Sequence, residues 1–160
     1  MKENLDKVAL LARDLRDGKA FPRSPRETLG GYVLAARALD KCRAALVGWE
    51  GEYHSNCPLD QTWLKFAEID YMAFRLFVAT GATDEQVAEW ISKYAKPRSR
   101  AEIVVWNNRQ RDQSLSDLSP ALQVAMEDYI RDYIPHDQVV YRFFDIYDLE
   151  EKRLLSHSAV

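Results

Sequence analysis

The sequence predicts an all-α fold, one compact domain of about six to eight helices. Three observations predict it. Apolar residues recur at helical spacing through almost every segment, as in Leu5, Val8, Ala12 and Leu15. Helix-start signals recur between the segments, with Ser or Thr followed three residues later by Glu or Gln at Ser24–Glu27, Thr83–Gln86 and Ser99–Glu102. Glycine or proline then closes most segments, as Gly18, Gly48, Gly81, Pro97 and Pro135 do.

Each element has its own warrant. The first helix carries Leu5, Val8, Ala12 and Leu15 and ends at Gly18. Ser24-Pro25-Arg26-Glu27 has the form of a capping box with proline at the first helical position. That helix meets Gly30-Gly31 within two turns, which predicts either a break with restart at Tyr32 or close packing of another backbone. The next helix runs from about Tyr32 to Val47, with Leu29, Tyr32 or Val33, Ala36, Leu39 and Leu46 as its buried stripe. A polar and aromatic loop, Trp49 to Cys57, leads to Pro58, which opens a helix through about Ala67. Asp70 caps a helix bearing Phe74, Phe77 and Val78. Thr83 opens one with Val87, Trp90, Ile91 and Tyr94, and Ser99 opens one with Ile103 and Trp106. Ser119-Pro120 starts a helix that Pro135 ends. The segment Val139–Leu155 reads as a last helix, although the Val-Val-Tyr-Arg-Phe-Phe run within Gln138–Phe144 also suits a short strand. The tryptophans and phenylalanines fall at core spacing.

The chain of 160 residues is 47% hydrophobic and 29% charged, the balance of a globular domain with a sizeable core. No apolar run approaches the roughly 18 residues that cross a bilayer, and the N-terminus lacks a secretory apolar core. Two cysteines, Cys42 and Cys57, fit a reducing compartment. These features predict an unprocessed cytoplasmic protein without a membrane partner. A net charge of −3 gives no global attraction to nucleic acid. The charge is uneven: Lys93–Arg111 holds six Lys/Arg and one acid, and Asp112–Glu151 holds ten acids and two arginines. A basic helix with Trp106 and Asn107-Asn108 has residue types that contact phosphate and bases. No helix-turn-helix surrounds it and an acidic stretch follows directly, so docking onto the acidic C-terminal helices of its own chain or of a second copy explains the asymmetry equally well, and nucleic acid is not the expected partner. Residues 1–160 are expected as one domain. Pro97–Ser99 marks a subdivision into a motif-bearing lobe, 1–97, and a C-terminal lobe, 98–160.

Polar residues that need an explanation gather near the N-terminus. Arg43 falls on the buried stripe, and Asp40, three residues away, is its nearest local partner, so Asp40 and Arg43 are expected as a structural ion pair. Arg23, Arg26, Arg37 and Lys41 are candidate anion ligands, because guanidinium groups match carboxylate and phosphate. Tyr32, Tyr53 and His54 are candidates to orient such a ligand. His54 and Cys57, three apart, are the weaker catalytic candidates, with Cys57 as nucleophile at a helix N-terminus and His54 as base. The same pair has a metal-ligand spacing, but His136 and His157 lie far off in sequence, so no metal and no cofactor are expected.

Pro22-Arg-Ser-Pro-Arg-Glu27, Leu29-Gly-Gly-Tyr32, Ala35-Ala-Arg37, Asp40-Lys-Cys-Arg-Ala44, Gly51-Glu-Tyr-His54 and Cys57-Pro-Leu-Asp60 together carry a resemblance. The chain resembles a family of small bacterial proteins defined by a domain of unknown function, with Trp90-Ile91 and Trp106-Asn107 as later landmarks. The resemblance implies a cytoplasmic bacterial protein and brings no activity, cofactor or partner. The leading functional expectation is therefore a helical module that binds an anionic small molecule or a partner's acidic group. An enzyme using Cys57 and His54, or a structural, oligomerising protein, are the alternatives.

Overall fold

One helix, Ala35–Leu46, is buried on nearly every side and organises the N-terminal part of the protein. The computed structural model describes residues 1–153. In chain order its elements are α1 (Leu5–Leu11), β1 (Thr28–Leu29), β2 (Tyr32–Val33), α2 (Ala35–Leu46), α3 (Pro58–Ala67), α4 (Tyr71–Val78), α5 (Asp84–Tyr94), α6 (Arg100–Asp112), α7 (Pro120–Tyr133) and α8 (Phe143–Glu150), with a 3-10 turn at Leu115–Asp117. The described residues thus hold eight α-helices and one two-stranded ladder, so the fold is mostly helical as expected. His157, named above, lies outside the described residues.

The chain divides into two units, Met1–Val104 and Val105–Val160. The boundary falls inside α6 rather than at the Pro97–Ser99 junction. In the first unit α2 packs against α1, β1, α3 and α4. Trp63, at 0% exposure, and Phe74 meet edge to face with ring centroids 5.6 Å apart, and Leu39, Leu64, Val87 and Ile91 are also fully buried in this unit. In the second unit Ile134, Ile146 and Leu149 form a small core, against which Met126, Ile130 and Phe143 pack.

Most helix starts follow the sequence signals. Thr83 and Gln86 form a reciprocal capping box, Ser99 and Glu102 exchange the same pair of bonds, and the Asp70 and Ser119 side chains accept from Ala73 N and Leu122 N. Three expectations are corrected. α1 stops at Leu11, because Asp14 takes the Arg16 amide and both ends of its guanidinium, a local arrangement that competes with helix. Leu15 is still buried, but in extended chain bonded to Trp49 O. Residues 138–142 are neither helix nor regular strand; a single bridge joins Arg142 to Ser114, and α8 begins at Phe143.

The third correction concerns Ser24–Glu27. Glu27 accepts from Ser24 N and Ser24 Oγ accepts from Arg26 N, but the bonds close a turn that no helix follows. The chain runs into an antiparallel pair, Thr28 with Val33 and Leu29 with Tyr32, joined by Gly30 at φ +58° and Gly31 at φ +90°. A two-residue hairpin loop of this hand needs positive φ at both positions, which glycine gives without a Cβ penalty. Gly30 also lies against Ile91 of α5, where a Cβ would sit 3.1 Å from its side chain.

Gly51 carries a comparable constraint in the loop after α2. Its φ is +58°, and a Cβ there would stand 2.7 Å from Leu15 O and 3.1 Å from Arg16 Cα. Those are backbone atoms that cannot swing aside. Gly51→Ala is expected to cost about 2 kcal/mol in a chemical unfolding measurement; an unchanged midpoint would show that the loop shifts freely.

Candidate functional site

Burial of α2 on almost every side forces its charged residues to find partners inside the protein, since an unpaired buried charge is very costly. Arg37, Asp40, Lys41 and Arg43 are all buried. They do so in two sets.

Asp40 and Arg43 do not pair with each other. Asp40 instead accepts three bonds from Arg23, at 2.8 Å from its backbone N, 3.0 Å from Nε and 2.9 Å from Nη2. The other face of the Arg23 guanidinium reaches Asp84 Oδ2 at 2.7 Å, and Asp84 Oδ1 takes Arg43 Nη1 at 2.7 Å. Arg43 Nη2 also donates to Ala82 O. The expected local pair is thus replaced by a four-residue chain, Asp40–Arg23–Asp84–Arg43, linking the 21–27 turn, α2 and the first turn of α5. The reason is reach: each guanidinium presents its donors in a plane that suits a carboxylate facing it across the fold.

The second set lies on the α2 face carrying Arg37 and, one turn on, Lys41. The loop between α2 and α3 lies along this face. Arg37 Nη1 donates to Arg23 O at 3.2 Å, and its guanidinium sits 5.7 Å from the Tyr53 ring centroid, within cation–π range. Lys41 Nζ has three partners, which matches the three donors of an ammonium: Asp60 Oδ1 at 2.8 Å, His54 O at 3.1 Å and Cys57 Sγ at 3.1 Å. The side chains of this ion pair are 4% and 3% exposed. Asp60 Oδ2 accepts from Asn56 N at 2.9 Å, and Asn56 has φ +60°, a conformation that asparagine tolerates better than most residues.

Cys57 is half-buried at the N-cap of α3, with Pro58 at the first helical position. The sulfur accepts from the Lys41 ammonium but makes no side-chain capping bond to the first turn of α3. Cys42, the residue after Lys41, differs sharply. It is fully buried, and burial pushes its thiol up to about 12, outweighing hydrogen bonding from Tyr71 and Ser55. Ser55 Oγ and Tyr71 Oη are 2.7 Å apart beside it.

The structure therefore brings together Arg37, Lys41, Tyr53, His54 and Cys57 of the sequence candidates. His54 takes part through its carbonyl, and the residue is exposed. Arg23 is joined to the strip by its carbonyl, which accepts from Arg37, and its guanidinium belongs to the carboxylate chain. Arg26 is half-buried at the 24–27 turn. Tyr32 is 2% exposed and packs against Trp63 and Phe66, so it is a core residue rather than one presented to a ligand. Asp60 and Asp84 were missed. Asp60 sat in the Cys57-Pro-Leu-Asp60 motif, and an acid at the third position of a helix beside a buried lysine was the available signal. Asp84 read as an ordinary first-turn acid, and nothing local marks its long-range role. Among the described residues no group of three or more His, Cys, Asp or Glu is placed to hold a metal ion.

Fold and site together define a small, mostly helical protein whose central helix buries its charges in internal pairs and sets one lysine against a half-buried thiol. The chain belongs to the family defined by the domain of unknown function DUF5069, whose model matches residues 19–153. No curated protein matches it. No helix among the described residues is long and apolar enough to cross a membrane.

Proposed function

We propose that this protein is a helical thiol module in which Cys57 acts as a nucleophile toward a small electrophile. The observation that carries the reading is the bond from the Lys41 ammonium to Cys57 Sγ at 3.1 Å. The ammonium, itself paired with Asp60, donates to the sulfur and fixes its position, and sulfur is the nucleophilic atom of a cysteine. Half-burial admits a small reagent and hinders a large one.

The binding-module reading requires cations available to an outside anion. Arg23 and Lys41, two of its four cations, already face carboxylates of the chain, Asp40 with Asp84 and Asp60 respectively. That favours the thiol as the group with chemistry left to offer. The setting consistent with this reading is a reducing one, the bacterial cytoplasm, in which both cysteines stay free.

Alkylation of the folded chain with iodoacetamide tests the proposal. Cys57 is expected to label about tenfold faster than the same residue in the urea-unfolded chain, while Cys42 stays unlabelled. Labelling of folded Cys57 at or below the unfolded rate would reject it. The comparison uses the wild-type sequence throughout, so it does not depend on a variant that folds.

A further inference from the structure

Lys41 and Cys57 stand close enough to react with each other, and this defines a second chemistry for the site. We propose that a peroxide converts the Lys41–Cys57 contact into a covalent sulfur–nitrogen crosslink, a reversible oxidative lock between α2 and α3. The proposal rests on the nucleophilic reading of Cys57 given above.

In the first step Cys57 sulfur attacks one oxygen of hydrogen peroxide. The O–O bond breaks, sulfur is oxidised to sulfenic acid, and water leaves. In the second step Lys41 passes a proton to Asp60, whose Oδ1 is 2.8 Å from Nζ. Rotation about the Cε–Nζ bond turns the freed lone pair toward sulfur while an N–H stays on His54 O. Nitrogen attacks the sulfenyl sulfur, the S–O bond breaks, and the departing hydroxide collects a proton as water. The sum is Cys–SH plus Lys–NH3+ plus H2O2 giving Cys–S–NH–Lys, two waters and one proton. Nitrogen is not oxidised; sulfur supplies both electrons. Two equivalents of an external thiol reverse the reaction, returning the cysteine and the amine and leaving a disulfide.

Geometry favours this path over further oxidation. Nζ and Sγ are 3.1 Å apart, within the roughly 3–3.5 Å of a near-attack arrangement. Lys41 is buried and held by three partners, so its nitrogen stays within reach of the sulfur. Cys57 is half-buried rather than sealed in the core. The lock consumes the thiol and the lysine charge together and leaves Asp60 buried without its cation, so it switches the site off while straining the joint between α2 and α3.

The test treats the folded full chain with hydrogen peroxide, blocks remaining thiols under denaturing conditions, and maps peptides after cleavage at acidic residues. The expected product joins the Lys41 and Cys57 peptides, has lost two hydrogens relative to the reduced pair, and disappears with dithiothreitol. It should persist in Cys42→Ala and be lost in Lys41→Arg, where Cys57 proceeds to sulfinic acid instead. Wild-type peptide mapping alone decides the matter if Lys41→Arg does not fold. Cys57 sulfinic acid with an unmodified Lys41, or a Cys42–Cys57 disulfide, overturns the proposal. Iodoacetamide labelling of the same preparation separates the two readings: fast labelling without a crosslink rejects only the lock, and slow labelling rejects the nucleophile as well.

Discussion

Asp60→Ala is expected to destabilise the protein by about 3–5 kcal/mol, the cost of leaving one member of a buried ion pair without its partner. Lys41 would keep His54 O and Cys57 Sγ but lose the carboxylate that faces its ammonium at 4% exposure. Asn56 N would lose its acceptor at the same time, in a loop residue already at φ +60°. The pair itself is a different quantity from the cost of breaking it. Removing both charges, as in Lys41→Met with Asp60→Leu, is expected to recover most of the loss, since apolar groups of similar volume replace a buried ion pair at little net cost. Urea midpoints for the two single variants and the double variant measure this directly. A double variant as unstable as the sum of the singles would show that the two residues act independently, against the geometry described. The same cycle bears on function: if the pair adds little stability, its place beside Cys57 is better explained by the sulfur it contacts.

Local signals proved sufficient where a local interaction decides the structure. The Thr83–Gln86 box and the Asp70 cap satisfy backbone amides from within a few residues, Pro58 has no amide N–H to satisfy at the head of α3, and the helices start there. Ser24–Glu27 shows the limit of that logic. Its side chains make box-like bonds, but the same bonds close an isolated turn when Gly30-Gly31 follows and reverses the chain. Leu15 shows another limit. Its spacing from Val8 is helical and it is buried, yet it reaches the core from extended chain after Asp14 captures Arg16.

At the candidate site the cations could be found in the sequence, and two of their carboxylate partners, Asp60 and Asp84, could not. Arg43 stands out because it falls on the buried stripe of a helix, and Arg23, Arg37 and Lys41 because they gather around a loop shaped by proline and glycine. The decisive facts are that α2 is buried all round, and that Asp84 lies 41 positions from Arg43 and Asp60 lies across the loop from Lys41. No periodicity reports such a pairing. The missing quantity is which elements cover α2, and that is a property of the tertiary structure.

Asp40→Ala is expected to cost about 3–4 kcal/mol, because it strips three bonds from Arg23 and opens the chain of charges at its most buried carboxylate. Acidification probes the other end of the same chain. Burial alone would raise the Asp84 carboxyl, but hydrogen bonds from Arg43 and Arg23 outweigh it and hold the group below its ordinary value. With the folded value below the unfolded one, the unfolded chain binds the proton more readily. Asp84 therefore contributes stability that is present above the unfolded carboxyl value, about pH 4, and is lost as pH falls through the lower folded value. Urea midpoints between about pH 2 and pH 6 should fall more steeply for the wild type than for Asp84→Asn, which is less stable at the upper end and insensitive at this position. Parallel profiles would mean that Asp84 titrates alike in both states and that its two short bonds to arginine carry no linkage. Asp40→Ala supplies the control: with Arg23 released from α2, the Asp84 contribution should shrink to what Arg43 alone provides, so the two sites are expected to be non-additive.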